Sequence, residues 1–106
     1  MRQRSTDGQC AATLKLLADQ SRLTVLRALL DGPRSAGELA SLLDIEQTLL
    51  SHHLRGLRDA GLVLSVREGR HVIYRLAPAV AVRAPHDELD LGCCRLSFHS
   101  PSRSVS

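Results

Sequence analysis

Residues 47–61 read QTLLSHHLRGLRDAG and predict an amphipathic helix. At about 100° per residue, one side of this helix is apolar apart from a single histidine, and it carries Leu50, His53, Leu54 and Leu57. The other side carries Gln47, Thr48, Ser51, His52, Arg55, Arg58 and Asp59. Such side chains reach base edges and phosphates, whereas an ordinary solvated face carries mostly Lys and Glu. Gly61 is expected to end the helix, and its polar side is a candidate nucleic-acid-binding face.

A shorter helix is predicted immediately before this one. Ser35 and Glu38 have the spacing of a capping box, in which each side chain accepts a hydrogen bond from the backbone N–H of the other residue. Residues 44–46 then form a tight connection, with Ile45 placed to contact the core. Two short helices joined by three residues, the second with a polar outer face, predict a helix-turn-helix.

Two further helices are predicted upstream. Residues 1–8 are polar and are expected to be a flexible N-terminus. The helix predicted over 9–18 is too short to be stable alone, so it should pack on a neighbour or on a second subunit. Asp19 begins the next helix, which ends at Gly32-Pro33.

A β-hairpin is predicted after Gly61, because the apolar period changes there from about 3.6 to about 2. Apolar residues alternate over 62–67 and again over 72–76, on either side of a charged tip. A hairpin directly behind a helix-turn-helix is a wing. Its Arg67 and Arg70 are candidates to contact backbone phosphates or a minor groove. The alternative is that these charges only keep the hairpin soluble.

The C-terminal sequence gives weaker signals. A brief helix is predicted over 79–84, and residues 89–99 alternate loosely and are expected to be extended. The serine-rich residues 100–106 are expected to be disordered. We therefore predict a winged helix-turn-helix domain over 9–84 and a partly disordered tail over 85–106.

Composition bounds the class of protein. The 106 residues suffice for one domain, and with 43% hydrophobic but 2% aromatic residues its core must be aliphatic. No apolar run reaches the length of a membrane span or a signal peptide, so we expect a cytoplasmic protein that does not enter a membrane. Three cysteines in such a protein are expected to be reduced. The net charge of +3 suits an anionic polymer.

Three ordered motifs resemble the ArsR/SmtB winged-helix metalloregulators of bacteria: LADQSRL at 17–23, SHHL followed by LRDAGLV within 51–63, and REGR followed by YRL within 67–76. The resemblance implies a mainly α-helical fold with a β-hairpin, and a homodimeric repressor. Its effector would lower its affinity for an inverted-repeat DNA operator. The resemblance carries the DNA-contact role onto Gln47, Thr48, Ser51, His52 and Arg55.

The cysteines are the main effector candidates. The family's Glu-Leu-Cys-Val-Cys metal motif is absent, since Glu38-Leu39 is followed here by Ala-Ser-Leu. Cys93 and Cys94, with Cys10 as third sulfur, suit a trigonal site for arsenite or antimonite, or a thiolate site for cadmium or lead. The resemblance puts Cys10 near a dimer interface and the C-terminal segment. The alternative is that all three are ordinary small residues.

Histidines and carboxylates of the tail offer a less favoured nickel or zinc site, formed by His86, Asp87, Glu88 and His99, although such residues are more often simply solvated. His53 is expected to be a packed, hydrogen-bonded core residue. Catalysis is not expected, because neighbours such as Ser51 and His52 point about 100° apart on a helix.

The sequence therefore predicts a DNA-binding, metal- or metalloid-responsive repressor that needs no cofactor to fold. One alternative is a winged-helix regulator without a metal site, which responds to oxidation of Cys93 and Cys94 or to a partner protein. Another is a small metal-buffering protein in which the winged helix only dimerises.

Overall fold

The computed structural model describes residues 2–82 and 88–98, with side chains over 7–81 and 88–98. This part of the chain is a winged helix-turn-helix followed by a small second sheet. Its helices are α1 (Arg2–Leu17), α2 (Gln20–Leu30), α3 (Ala36–Leu43) and α4 (Gln47–Asp59). Its strands are β1 (Arg34–Ser35), β2 (Val63–Glu68), β3 (His71–Leu76), β4 (Ala81–Val82), β5 (Glu88–Asp90) and β6 (Arg95–Ser97).

The starts of α2 and α3 are fixed by side-chain caps, as the sequence predicted. The Asp19 carboxylate accepts a hydrogen bond from the Arg22 N–H at 3.1 Å. The capping box of α3 is complete: the Glu38 N–H donates to the Ser35 hydroxyl at 3.0 Å, and the Ser35 N–H donates to the Glu38 carboxylate at 2.8 Å. These bonds satisfy backbone donors that a helix start otherwise leaves unpaired.

Helix α4 has the predicted start and the predicted buried residues. It ends in a Schellman motif: the Gly61 N–H donates to the Arg58 carbonyl at 2.9 Å and the Leu62 N–H donates to the Leu57 carbonyl at 3.0 Å. This ending requires a left-handed residue, and Gly61 supplies it with φ 78°. The chain then turns directly into the wing.

The wing is the predicted hairpin, with a third strand that the sequence did not reveal. Strand order is β1-β3-β2, and β1 pairs antiparallel with β3 through Arg34 and Tyr74. Glu68 faces His71 across the hairpin, so the loop is the two residues Gly69-Arg70. A strand of only two residues has too few positions to show alternation, which is why β1 carried no sequence signal.

Helix α1 is longer than predicted. It begins at Arg2 instead of Gln9, so most of the segment expected to be flexible has a helical backbone. Residues 2–8 contain no proline, and the one glycine, Gly8, costs a helix only about 1 kcal/mol. The helix therefore continues through a stretch whose polar composition had suggested fraying.

The C-terminal sheet corrects one prediction and confirms another. The helix predicted over 79–84 is wrong, because the chain turns at Pro78–Val80 and enters β4 at Ala81. The expectation of extended structure over 89–99 is confirmed only for the strands β5 and β6, which complete a sheet of order β4-β5-β6. Residues 91–94 between them form a tight turn, and residue 99 lies outside the described residues. The secondary structure of this region depends on which strands pair, and short apolar runs in the sequence do not predict strand partners. The tail residues 100–106 lie outside the described residues.

The core is aliphatic, as the composition requires. Its most fully buried side chains include Leu26 of α2, Leu39 of α3 and Leu54 of α4. Leu89 of β5 is also fully buried in the same cluster. The C-terminal sheet is thus attached to the helical domain through hydrophobic packing.

Candidate DNA-binding face and cysteine cluster

The polar side of α4 is exposed as predicted. The five side chains assigned there to DNA contact are all exposed: Gln47, Thr48, Ser51, His52 and Arg55. Leu50, Leu54 and Leu57 on the opposite side are buried. Leu49 lies beside this polar row and is 45% exposed, although the helical period had placed it on neither face. An exposed apolar side chain of this kind suits contact with a thymine methyl group.

His53 lies beneath this face. The predicted burial is confirmed, since the residue is 7% exposed, but the predicted hydrogen bond is not found at Nδ1, which has no partner. The carboxylate of Asp19 is close enough to His53 for their charges to interact. Its pKa lies below the ordinary value, first because the Arg22 N–H donates to its carboxylate and further because of the charges of His53 and Arg22.

The wing tip presents the two predicted arginines to solvent. Arg70 is in the two-residue loop and Arg67 is on β2 beside it, and both are exposed. Neither arginine forms an ion pair with a described residue. Their contact with DNA stays a prediction, as do the contacts of α4.

The three cysteines come together, as their assignment to one site requires. Their Sγ atoms lie within 4.8 Å of one another. The expectation that all three are reduced is wrong for this structure, because Cys10 and Cys93 form a disulfide. Cys94 is a free thiol, with its Sγ 3.7 Å from that of Cys10 and 3.9 Å from that of Cys93.

A tight hairpin presents Cys93 and Cys94 to α1. The Leu91 N–H donates to the Cys94 carbonyl at 2.9 Å, which closes a two-residue loop made of Gly92 and Cys93. Gly92 adopts φ 90°, a conformation that favours glycine. The Cα atoms of Cys10 and Cys93 are 5.9 Å apart, within the usual range for a disulfide. The two residues are 83 positions apart in sequence, so spacing gave no sign of the pairing.

The cluster lies next to a cavity of about 570 Å³ between α1, the end of α4 and the β5–β6 loop. Thr13 and Leu16 of α1 line this cavity together with Ala60, which follows α4. Leu16 also packs on α4, where its Cδ1 is 3.5 Å from the position that a Cβ on Gly56 would take. Movement of α1 or of the hairpin can therefore reach the helix that carries the candidate DNA face.

The nickel- or zinc-type site is largely outside the described residues, which exclude His86, Asp87 and His99. Glu88 is described and is already engaged: its carboxylate is 3.7 Å from Arg95 Nη1 and accepts a hydrogen bond from the Ser97 hydroxyl at 2.7 Å.

Within the described residues, no helix is long and apolar enough to span a bilayer.

Comparison with known proteins decides the family. The model of the family described as "Bacterial regulatory protein, arsR family" matches residues 19–65. The chain resembles the homodimeric winged helix-turn-helix DNA-binding domain of a possible ArsR-family transcriptional regulator from Mycobacterium bovis, with a TM-score of 0.65 and 34% identity over 72% of this chain and 70% of that chain. The chain belongs to the ArsR family.

Other relatives of this ArsR-family chain are regulators too. It resembles reduced HlyU from Vibrio cholerae with a TM-score of 0.68 and 38% identity, over 72% of this chain and 80% of that chain. It is 46% identical to the HTH-type transcriptional regulator NmtR of Mycobacterium tuberculosis over 68 residues, which are 64% of this chain. The match spans 57% of the length of NmtR. These relatives are transcription regulators and not enzymes, in agreement with the sequence-based prediction.

Proposed function

We propose that this chain is a DNA-binding transcriptional repressor that acts as a homodimer on an inverted-repeat operator in the cytoplasm. The observation that carries the proposal is the row of exposed polar side chains on α4, from Gln47 to Arg55, followed along the chain by a wing with two exposed arginines. The homodimeric relative from Mycobacterium bovis supports dimerisation. Leu14 of α1 supports it as well, because it is 41% exposed on a helix with exposed alanines beside it.

In such a dimer the two α4 helices enter successive major grooves about 34 Å apart, one turn of DNA. Base edges are read by the polar face of α4, and the wing arginines hold flanking phosphates. Phosphate contacts fix the register of the protein, whereas base contacts select the sequence.

The test is fluorescence anisotropy of the reduced protein on labelled DNA from the region upstream of its own gene. Arg55→Ala should weaken binding about 5- to 150-fold, because an arginine contact to a base edge is worth about 1–3 kcal/mol. Arg95→Ala is the matched control, since it also removes one exposed arginine charge but lies on β6. Equal binding by both variants would contradict the proposed face.

The effector we propose is a soft metal or metalloid ion bound by the sulfurs of Cys10, Cys93 and Cys94. Three thiolates suit arsenite or antimonite, and also cadmium or lead. Because the cluster adjoins α1 and the end of α4, binding there can change the position of α4 in the dimer. A coupling free energy of about 1–3 kcal/mol would lower operator affinity about 5- to 150-fold.

Separate titrations of the reduced protein–DNA complex with arsenite, cadmium and nickel test this effector. Release by arsenite or cadmium, with no release by nickel, is the expected result. Release by nickel alone would favour a site that uses His86 and His99 instead. Release by none of the three would refute arsenite and cadmium as effectors.

Thiol oxidation is a second candidate signal, and the Cys10–Cys93 disulfide favours it. The bridge ties α1 to the C-terminal hairpin, so its formation can also act on α4. Diamide treatment should then change operator affinity in the wild type and leave Cys10→Ser unchanged. An equal response of the two proteins would exclude the bridge as the signal and move the search to a partner protein.

A further inference from the structure

The disulfide and a three-coordinate metalloid need the same sulfurs in different oxidation states. The disulfide joins two oxidised sulfurs, whereas the metalloid needs three reduced ones. The bridge consumes Cys10 and Cys93, which leaves Cys94 as the one free thiol of the cluster. A trigonal metalloid site needs three thiolates, because the thiolate is the metal ligand. The two states therefore exclude each other.

Cys94 has a different part in each state. A bridge between Cys93 and Cys94 is disfavoured, because neighbouring Cα atoms lie about 3.8 Å apart, whereas disulfides usually need about 4.4 Å or more. Bridging in this cluster thus goes through Cys10, and it is complete without Cys94. The third metalloid ligand, in contrast, can only be Cys94, whose Sγ is already within 3.9 Å of both other sulfurs.

We propose that the cluster is a redox-gated metalloid site, closed by the Cys10–Cys93 bridge and opened by low-molecular-weight thiols, in which Cys94 serves the metalloid alone. This inference rests on the effector role proposed above. Two small thiols reduce the bridge to two protein thiols and leave as their own disulfide. The reverse exchange closes the gate: a small disulfide oxidises the Cys10 and Cys93 thiols to the bridge and is itself reduced to two small thiols. Arsenous acid then exchanges its three hydroxyl groups for three cysteine sulfurs and releases three water molecules, with no change in the oxidation state of arsenic.

The cavity beside the cluster gives small thiols and arsenous acid a route to the sulfurs. It is lined on one side by Cys10 and Thr13 of α1 and on the other by Gly92 and Cys93 of the hairpin. A ligand that binds only the reduced form must also protect it from oxidation. At an arsenite concentration about 100 times its dissociation constant, bridge formation by diamide should slow about 100-fold.

Native mass spectrometry of the full chain with arsenite as probe tests the gate. The reduced wild type, freed of reductant, should bind one arsenic with loss of three protons, and the oxidised wild type should bind none. Reduced Cys94→Ser should bind arsenite at least about tenfold more weakly, yet on oxidation it should form the Cys10–Cys93 bridge to the same extent as the wild type. Ser97→Ala, a polar truncation on the same hairpin, is the control and should match the wild type in both assays.

Several results would overturn the inference: arsenic bound equally by the oxidised protein, full arsenite affinity in Cys94→Ser, or failure of that variant to form the bridge. Bridge formation itself reports that the variant folds. Operator binding is measured separately from arsenite binding. Absence of operator binding by the reduced, metal-free protein would refute the proposed function and would leave the arsenite result unchanged. Normal operator binding with no arsenic bound would refute the gate and arsenite as effector, and would leave the proposed DNA-binding function standing.

Discussion

Loss of the Cys10–Cys93 bridge should lower the stability of the folded chain by several kcal/mol. The bridge closes a loop with a sequence separation of 83, which encloses α2, α3, α4 and the wing. For a loop of this length, the lost chain entropy of the unfolded state corresponds to about 4.5 kcal/mol. That figure is an upper value, because the measured effect of a disulfide is often smaller than the entropic one.

Urea unfolding followed by circular dichroism measures this effect. With a slope of about 2 kcal/mol per molar urea, the midpoint of Cys10→Ser should fall about 1–2 M below that of the oxidised wild type. Cys94→Ser is the matched control: it removes a sulfur from the same cluster but keeps the bridge, so its oxidised form should unfold at the wild-type midpoint. The reduced wild type should unfold at the same urea midpoint as Cys10→Ser.

Two results would refute this reasoning. If oxidised wild type and Cys10→Ser had the same midpoint, the bridge would not constrain the unfolded chain. If Cys94→Ser lost as much stability as Cys10→Ser, the two cysteines would not have the separate parts that the sulfur geometry assigns to them.

Three further results are expected. Leu54→Ala should lower the free energy of unfolding by about 2–5 kcal/mol in denaturant titrations, because it leaves a cavity under α4. The backbone N–H of Ser35 holds the pKa of the Glu38 carboxyl below its ordinary value. The cap therefore stabilises the fold fully at pH values above the ordinary pKa, and this stabilisation is lost as the pH falls through the lowered pKa. Thermal unfolding of Glu38→Gln should therefore depend less on pH below about pH 4.5, and an unchanged profile would contradict the cap. Arg67→Ala combined with Arg70→Ala should reduce the salt slope of DNA binding by about two if both contact phosphates, as anisotropy at several salt concentrations would show.

The helix-turn-helix and the wing were predictable because each has a local cause in the sequence. The capping box begins α3, the glycine after α4 ends it, and the change of apolar period begins the hairpin. The buried side of α4 followed from periodicity alone, with Leu50, His53, Leu54 and Leu57 all buried. Local signals of this kind survive folding because tertiary packing agrees with them.

The parts that could not be predicted depend on contacts between distant segments. The strand at Ala81 exists because β5 pairs with it, and nothing within residues 79–84 specifies that partner. Cys10 meets Cys93 because the buried Leu89 fixes the hairpin on the core, which brings its tip to α1. Sequence reasoning brought the three cysteines into one candidate site but not the bond between two of them, since pairing cannot be deduced from spacing.

The central claim is that the exposed face of α4 reads a specific DNA sequence. The most direct test is the affinity of the reduced wild-type protein for its own upstream DNA and for a scrambled duplex of equal length, each measured by anisotropy across a salt series. Tighter binding to the upstream DNA at every salt concentration, weakening as salt rises, is the predicted result. Equal affinity for the two duplexes, or no binding to either, would contradict the account.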